Sequence, residues 1–146
     1  GQSQSAAAHA RRGRVGVRLV SGEVASQVPD VLRPGVAVAA LATAIDLEPL
    51  PADEVLEGAP LAGYTVLGEL PIEGGVVEVG VWEMTEGVAT DVEVDEIFLV
   101  LSGSATVVIE GVASPLELSP GVVVRLEAGM RAVWTVHERL RKLSIG

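Results

Sequence analysis

The residues of this chain that could do chemistry are mainly carboxylates. The chain has 20 Asp and Glu residues, two His and no Cys, which excludes disulfides, thiolate zinc sites and a Cys nucleophile. Four of the acids stand close together in the sequence, at positions 91, 93, 95 and 96. No Ser/His/Asp constellation accompanies them. The glycines are isolated turn glycines, so no phosphate-cradling Gly loop or nucleotide fingerprint is present either.

Strand alternation divides these four acids into two sets. Successive strand residues point to opposite faces, so Asp91, Glu93 and Asp95 share one face, which we expect to be a solvated rim. Glu96 falls on the other face. If Glu96 points inward, desolvation raises the pKa of its carboxyl unless a donor or a cation pairs with it. Glu96 would then be a catalytic proton-transfer group or an anchor for a ligand.

The same alternation predicts the lining of an interior pocket. One strand contributes Glu96 and the alternate residues after it, and another contributes Ala132 and the alternate residues after it. Either Trp82 or Glu83 adds to the pocket, but not both, because neighbours on a strand face opposite sides. The candidate ligand-binding residues are Trp82, Glu96, Phe98, Ala132, Trp134 and Val136. The alternative is that the aromatic and aliphatic members of this set are simply core, since small barrels are often filled by side chains.

The elements that must position these residues are short strands. From residue 64 onward, apolar segments alternate with Gly and Pro turn signals, which predicts an all-β sandwich or barrel. Residues 96–101 and 104–109 flank Ser102-Gly103, which predicts a hairpin. Two further strands are expected at residues 131–137 and 139–145. No helical alternation indicates a parallel α/β sheet.

The first third of the chain has a different pattern. Residues 14–20 alternate and predict a strand, whereas residues 36–45 are apolar and fit either a buried strand or a short helix. Residues 51–58 begin with Pro and end with Gly, which predicts a short helical turn. The expected organisation is a flexible arm over residues 1–13, an extension over 14–45 that packs on the barrel or on a partner, and a barrel over 46–146.

Charge is distributed unevenly along the chain. The net charge is −10, and 16 of the 20 acids lie between positions 46 and 117, where no Lys or Arg occurs. Such an acidic region repels nucleic acid and anionic membranes, so neither is expected as a partner. It is either a solvated surface or a docking surface for the basic arm. No apolar run approaches the ~20 residues of a membrane helix, and no signal-peptide core is present, so the cytoplasm is the expected location.

Several segments resemble the cupin superfamily. Residues 95–103 (DEIFLVLSG) resemble the end of the first cupin motif, in which a metal-binding Glu stands seven positions before a Gly. Residues 119–129 (SPGVVVRLEAG) resemble the opening of the second motif, with two glycines at the expected spacing. Residues 80–83 (GVWE) and 134–142 (WTVHERLRK) are similar to a small single-domain cupin family related to ureidoglycine aminohydrolase and the ethanolamine-utilisation cupin.

The resemblance implies a cupin-type jelly-roll β-barrel, commonly dimeric, with its site in the barrel mouth. Metal-using relatives place two His on one strand, a Glu on the next and a third His after the second motif. In this chain only the Glu remains, as Glu96. The positions that correspond to the missing His are Thr90 and Val92, or Ala89 and Asp91, together with Ala132. One carboxylate does not hold a transition metal against water, so no bound metal and no cofactor are expected.

Neither histidine of the chain replaces a missing ligand. His9 lies in the arm. His137 stands five residues past the ligand position and, by alternation, faces opposite to Ala132. We therefore expect His137 to be an exposed or interface residue.

Three functions stay open at this point. The first is a non-metal cupin that binds a small organic molecule. The second is an aminohydrolase- or isomerase-like enzyme that uses Glu96 with a weakly bound divalent ion. The third is a dimeric structural or regulatory protein with a filled barrel. An open barrel interior favours the first two, a filled one favours the third, and a homodimer is expected in each case.

Overall fold

The computed structural model describes residues 32–146. The predicted arm and the predicted strand at residues 14–20 lie outside these residues. Two 3-10 turns, at Ala40–Ala42 and Ala52–Glu54, accompany nine strands. The strands are β1 (Glu48–Pro49), β2 (Val55–Glu57), β3 (Leu61–Ile72), β4 (Gly75–Met84), β5 (Gly87–Val92), β6 (Glu96–Ile109), β7 (Leu116–Leu118), β8 (Val123–Leu126) and β9 (Arg131–Ile145). This nearly all-β architecture confirms the predicted fold class.

The two longest strands, β6 and β9, form the centre of the sheet. They pair antiparallel from Ile97↔Ile145 to Ile109↔Ala132. On its other edge β9 pairs first with β5 and then with β4, and β6 pairs with β8 and then with β7. Each long strand therefore belongs to both halves of a sheet that curls on itself.

On the side of β9 the strand order is β1-β3-β4-β9-β5-β2, and every pairing is antiparallel. The apolar residues inside the curl are mostly Val, Ala and Leu, as expected for strands that pack β-branched and small side chains on a pleated surface. Tyr64 is one of the few aromatic residues there. Its ring packs so closely on Gly80 that a Cβ at that position would overlap it, and its hydroxyl donates a 2.7 Å hydrogen bond to Glu78 Oε2.

The predicted hairpin at Ser102-Gly103 is wrong. Residues 96–109 form one strand, β6, which bends where its register with β9 shifts around Ser102 and Ser104. Gly103 has a φ of 90°, and a Cβ there would overlap the carbonyl oxygen of Arg139. The glycine therefore permits a close approach between two paired strands rather than a turn.

Two other predicted elements also differ. The two strands expected at residues 131–137 and 139–145 are one strand, β9. Residues 36–45 do not form the buried strand, because they are half-buried or exposed. Of the alternative, a short helix, they contain the single 3-10 turn at Ala40–Ala42. At residues 51–58 the helical turn is confirmed at Ala52–Glu54, and the chain then continues as β2.

The segment before β1 lies against the barrel of its own chain. Leu32 donates from its backbone N to Leu67 O, and Thr65 Oγ1 donates to Ala44 O. Arg141 Nη1 donates to the carbonyl oxygens of Ala40 and Thr43, each at 2.8 Å. These bonds explain how a largely exposed segment is held without strand pairing. The predicted boundary between the extension and the barrel at residue 45 stays a prediction.

Candidate functional site

A buried ion pair lies at the centre of the barrel. Lys142 Nζ, on β9, stands 2.7 Å from Glu96 Oε2, on β6, and donates a hydrogen bond to it. Ser144 Oγ donates to the same carboxylate oxygen at 3.2 Å. Residues 142 and 144 are alternate residues of β9, so both side chains point to the inner face. An inward Lys at this position supplies the cation that a buried carboxylate requires.

Three aromatic rings surround the ammonium group. Lys142 Nζ lies 4.2 Å from the ring centroid of Phe98, 4.7 Å from that of Trp82 and 4.9 Å from that of Trp134. These distances are in the range of cation–π attraction, which is strongest in desolvated surroundings. Trp134 also packs on the other two rings, with centroid separations of 5.7 Å to Trp82 and 5.8 Å to Phe98. The rings and the carboxylate together replace the water shell of the ammonium.

This centre is filled by protein. Lys142 and Ser144 have no exposed surface, and Trp82 and Phe98 are 1% exposed. Side chains without accessible surface are in contact with other protein atoms on every side, so this cluster leaves no room for a further molecule. The aromatic cluster is core around an ion pair, which agrees with the alternative interpretation of the predicted lining.

The structure brings the six predicted site residues to the inner face. They lie on β4, β6 and β9, and all are buried. The six are Trp82, Glu96, Phe98, Ala132, Trp134 and Val136. Of the two alternatives on β4, Trp82 faces inward, whereas Glu83 is bound by Arg139 and, at 2.7 Å, by Arg141. Their role in binding a ligand stays a prediction.

The prediction that Asp91, Glu93 and Asp95 form a solvated rim is wrong for the first two. Asp91 pairs with Ala132 across β5 and β9, so it shares the inner face with an inward residue and is buried. Glu93 lies just beyond β5, is also buried, and accepts a 2.9 Å hydrogen bond from Trp134 Nε1. Asp95 alone is exposed, and its Oδ1 accepts from the backbone N of Ala128.

Burial makes Asp91 a carboxylic acid rather than a carboxylate at neutral pH. The pKa of Asp91 is raised from 3.8 to about 10, mainly by desolvation and also by the neighbouring Glu93 charge, while the charge of Lys142 lowers it in part. Burial is also the main reason why the pKa of Glu93 is raised above 4.5. Burial therefore raises the pKa of two neighbouring acids of the barrel.

A cavity of about 330 Å³ lies beside Asp91. The residues that line it come from the 3-10 turn that precedes β2, from β5, from β9 and from the end of β6: Glu54, Thr90, Asp91, Val92, Val108, Glu110, Arg131, Ala132 and Val133. Asp91 Oδ1 is buried and has no hydrogen-bond partner among residues 32–146. A buried polar atom without a partner costs free energy, which a ligand or water in contact with it would recover.

The residues present do not fit the metal that cupin relatives use. Ala132 stands at one ligand position and has no donor atom. The Glu96 carboxylate carries an ammonium at 2.7 Å, and that positive charge would repel a divalent cation. Within residues 32–146, no group of three or more His, Asp or Glu side chains is arranged to hold a metal ion. His137 is exposed, as expected, and contacts Thr106 Oγ1 at 2.9 Å through Nε2.

Lys142 is a central residue that the sequence pattern did not single out, although a signal for it exists. Residue 142 has the same parity as the inward residues Ala132 and Trp134, so an uninterrupted β9 places it inside. A division of β9 into two strands removes that connection. Lys142 then counts only as one of the basic residues near the end of the chain.

A curled antiparallel sheet around an inner face that carries Glu96 is a cupin jelly roll. Residues 72–143 match the family model of the EutQ-like cupin domain. The chain is therefore a small cupin related to the ethanolamine-utilisation cupin, as the sequence motifs predicted.

The chain is similar to several solved structures. A DUF861 family protein from Pseudomonas syringae has a TM-score of 0.62 and is 19% identical over 76% of this chain and 47% of that chain, which supports the fold alone. The EutQ protein of Clostridium difficile is 21% identical, with 57% of this chain and 67% of that chain covered and a TM-score of 0.45. A DUF1255 protein from Acidithiobacillus ferrooxidans is 24% identical over 70% of this chain and 90% of that chain, with a TM-score of 0.48.

Two further findings concern related proteins and membrane helices. No curated protein matches the chain. Among residues 32–146, no helix has the length and the apolar character needed to cross a membrane.

Proposed function

We propose that this protein is a cupin that binds a small organic molecule without a tightly bound metal, and that the molecule occupies the cavity beside Asp91. One observation carries the proposal: Asp91 lines a cavity of about 330 Å³, and its buried Oδ1 has no hydrogen-bond partner within the described part of the chain. That volume is in the range of small-molecule sites. A strongly raised pKa in a cavity is also a feature that concentrates at functional sites.

The chemical character of the cavity favours a ligand with hydrogen-bond donors and positive charge. Its lining includes the carboxyl residues Glu54 and Glu110 besides Asp91, against one Arg131. Thr90 also lines it, and its hydroxyl is engaged with the carbonyl oxygen of Glu54. A cationic group near these acids would stabilise their charged forms, whereas an anionic group would destabilise those charged forms by repulsion.

The filled centre supports this cavity rather than containing the ligand. Trp134 donates to Glu93 through its indole N–H, and the charge of Glu93 contributes to the raised pKa of Asp91. The aromatic cluster therefore positions Glu93, which acts on the acid that lines the cavity. Of the six predicted binding residues, Ala132 is the one that lines it. A proton-transfer role for Glu96 stays a prediction, and its carboxylate is engaged by Lys142.

Small fragments of matched size and different charge test the proposal. Alkylamines, amides and carboxylates would be titrated into the protein, with binding followed by heteronuclear NMR shifts of residues around the cavity. We expect amines to bind better than carboxylates, and Asp91→Ala to weaken amine binding about tenfold or more. Asp95→Ala is the matched control, because Asp95 is exposed and outside the lining. Equal binding by both variants would exclude Asp91 as a ligand contact.

A second candidate is a dimeric structural or regulatory cupin whose barrel is filled. The packed centre around Lys142 favours it, because this part of the barrel needs no ligand to complete it. Light scattering of the full chain, and of a variant without residues 1–20, would measure the dimer and the part that the arm plays in it. A stable dimer that binds none of the fragments would support this candidate over the first.

A further inference from the structure

The outer face of the sheet formed by β3, β4, β9, β6 and β8 carries aliphatic side chains where a solvated sheet carries polar ones. We propose that this aliphatic face is an interface at which two copies of the chain form a two-fold symmetric dimer. The inference concerns the outside of the sheet and is independent of the ligand proposed for the cavity beside Asp91.

The strand register defines the aliphatic face. Phe98 and Lys142 point inward, so their neighbours on β6 and β9 point outward. Val79 pairs with Ile145, which in turn pairs with Ile97, so one row of outward side chains crosses three strands. The outward aliphatic residues of the five strands are Leu70 and Ile72 on β3, Val77, Val79 and Val81 on β4, Leu143 and Ile145 on β9, Ile97 and Leu99 on β6, and Val123 on β8.

Several of these side chains are open to solvent. Val123 is 63% exposed, Leu70 59% and Ile97 45%. From the spacing of the strands and the rise along them, the face measures roughly 24 Å by 20 Å. Such a patch is large for the surface of a monomer. Two copies that join through it would bury on the order of 1,000 Å² together, which is sufficient for a specific interface.

Charge favours a second copy of the chain at this face. The chain has 20 acids and a net charge of −10, so two copies repel each other across most orientations. None of the ten aliphatic positions is an acid, and the residue that pairs with Ile97 on β8 is a base, Arg125. Two copies therefore meet with the least repulsion when their aliphatic faces approach each other.

One end of the face shows how the chain covers it where it can. Val81, the neighbour of the inward Trp82, points outward but has no exposed surface. Across β3 it pairs with Thr65, whose hydroxyl donates to the carbonyl oxygen of Ala44. The segment before β1 therefore lies over this end. The strands β6 and β8, at the other end, are the ones that leave their aliphatic residues exposed.

The order of the strands suits a two-fold axis. β9 is the central strand of the five, so an axis that passes near Ile145 lays β8 of one copy over β3 of the other. The most exposed aliphatic residues of these two strands, Val123 and Leu70, then face each other across the interface. Each contact occurs twice, as in other isologous dimers.

The mass of the full chain in solution tests the proposal. Light scattering of wild type should give twice the mass of one chain. Ile97→Asp should raise the dissociation constant of the dimer at least about 100-fold, because the symmetry brings two carboxylates into an apolar interface. Val112→Asp is the matched control and should stay dimeric, since Val112 is 43% exposed but lies between β6 and β7, outside the face.

Two further variants cover the case in which Ile97→Asp does not fold. Val123→Asp places the charge on a residue that is 63% exposed, so the monomer can solvate it, and it should also dissociate the dimer. The chain has no Cys, so Ile145→Cys introduces a single thiol near the proposed axis. Mild oxidation should link two copies of this variant through a disulfide on a non-reducing gel, whereas Val112→Cys should stay unlinked.

Three results would overturn the proposal. A monomeric wild type would mean that the face is covered by residues 1–31 of the same chain or by a different protein. A dimer that both folded Asp variants retain would mean that the copies meet elsewhere. Equal disulfide linkage of Ile145→Cys and Val112→Cys would show random collision rather than a two-fold axis near β9.

Discussion

Lys142 donates a 2.7 Å hydrogen bond to Glu96 although their side chains are 0% and 1% exposed. Both ions have lost their water, so each depends on the other for compensation. Removal of one partner leaves a buried charge unpaired, whereas removal of both leaves a neutral core. The pair is therefore expected to specify the arrangement of the barrel centre more than to add net stability.

A double-mutant cycle measures this dependence. Glu96→Gln should lower the free energy of unfolding by ~3–5 kcal/mol, because the Lys142 ammonium is left without its carboxylate. Lys142→Met should cost a similar amount. The double variant should cost clearly less than the sum of the two, since it contains neither unpaired ion. Urea unfolding of the four proteins gives the coupling energy, and additive losses would mean that the two groups act independently.

An ion pair with one exposed partner is a comparison for this cycle. Arg139 binds Glu83 with 58% of the arginine side chain and 6% of the glutamate side chain exposed. Arg139→Ala should cost only ~0–1 kcal/mol, because water solvates the Arg139 guanidinium and Arg141 still compensates the Glu83 carboxylate.

The raised pKa of Asp91 predicts a pH dependence of stability. The folded protein keeps the Asp91 proton up to a pKa of about 10, whereas the unfolded chain releases it near 3.8. Between these two pH values the folded state therefore binds more protons than the unfolded chain. The stability that Asp91 contributes is complete below pH 3.8 and is lost as the pH rises towards 10. The slope is up to ~1.4 kcal/mol per pH unit for one proton.

Asp91→Asn should remove this slope and raise stability relative to wild type as the pH increases. Urea unfolding at a series of pH values from mildly acidic to mildly alkaline measures the difference between the two proteins. Asp95→Asn should keep the wild-type slope, because Asp95 is exposed. Parallel pH profiles for wild type and Asp91→Asn would show that Asp91 is ionised in the folded protein.

The two tryptophans of the cluster predict different effects of the same substitution. Trp134 Nε1 donates to Glu93 at 2.9 Å, whereas Trp82 Nε1 is buried and finds no hydrogen-bond partner in residues 32–146. Trp134→Phe should therefore cost ~1–3 kcal/mol more than Trp82→Phe, because it leaves a buried carboxylate short of a donor, while Trp82→Phe removes an unsatisfied N–H. Unfolding free energies of both variants test this order, and a larger loss for Trp82→Phe would contradict it.

Truncation of the Trp134 ring tests its packing. Trp134→Ala should cost ~3–5 kcal/mol, since the indole is buried against Trp82 and Phe98 and the site cannot collapse freely. Thermal or urea unfolding measures it. A much smaller loss would show that the ring is not held by its neighbours.

Motif spacing and alternation predict much of this molecule from the sequence. The fold class follows from short strands punctuated by Gly and Pro, and the inward set from Glu96 and Ala132 follows from period-2 geometry. These inferences succeed because they depend on local pattern alone. The placement of Trp82 rather than Glu83 inside fits the same rule, since only one of two neighbours on a strand can face the core.

The failures share one physical cause, which is that sequence pattern does not show how strands pair. Polarity alone predicts a solvated face for Asp91, but its partner across the sheet is the inward Ala132. Lys142 escapes notice when β9 is divided at residue 138. Both errors place outside an ionisable side chain that the fold buries. The Lys142 charge is tolerated there because β6 supplies the Glu96 carboxylate, whereas burial favours the uncharged form of Asp91.

The long strand β6 depends on the glycine at position 103, where its backbone approaches β9 closely. Gly103 has a positive φ of 90°, and a Cβ there would overlap Arg139 O in the paired strand β9. Gly121 has a similar φ of 97°, but a Cβ there would meet no atom within 4 Å. Gly121→Ala should therefore lose only the ~1–2 kcal/mol of left-handed backbone strain, while Gly103→Ala adds a clash with backbone that cannot move without breaking the β6–β9 pairing. Urea unfolding should show a clearly larger loss for Gly103→Ala, and its strand circular dichroism should weaken. Equal losses would mean that the close approach of the two strands at Gly103 relaxes without cost, and that β6 does not need a glycine at its bend.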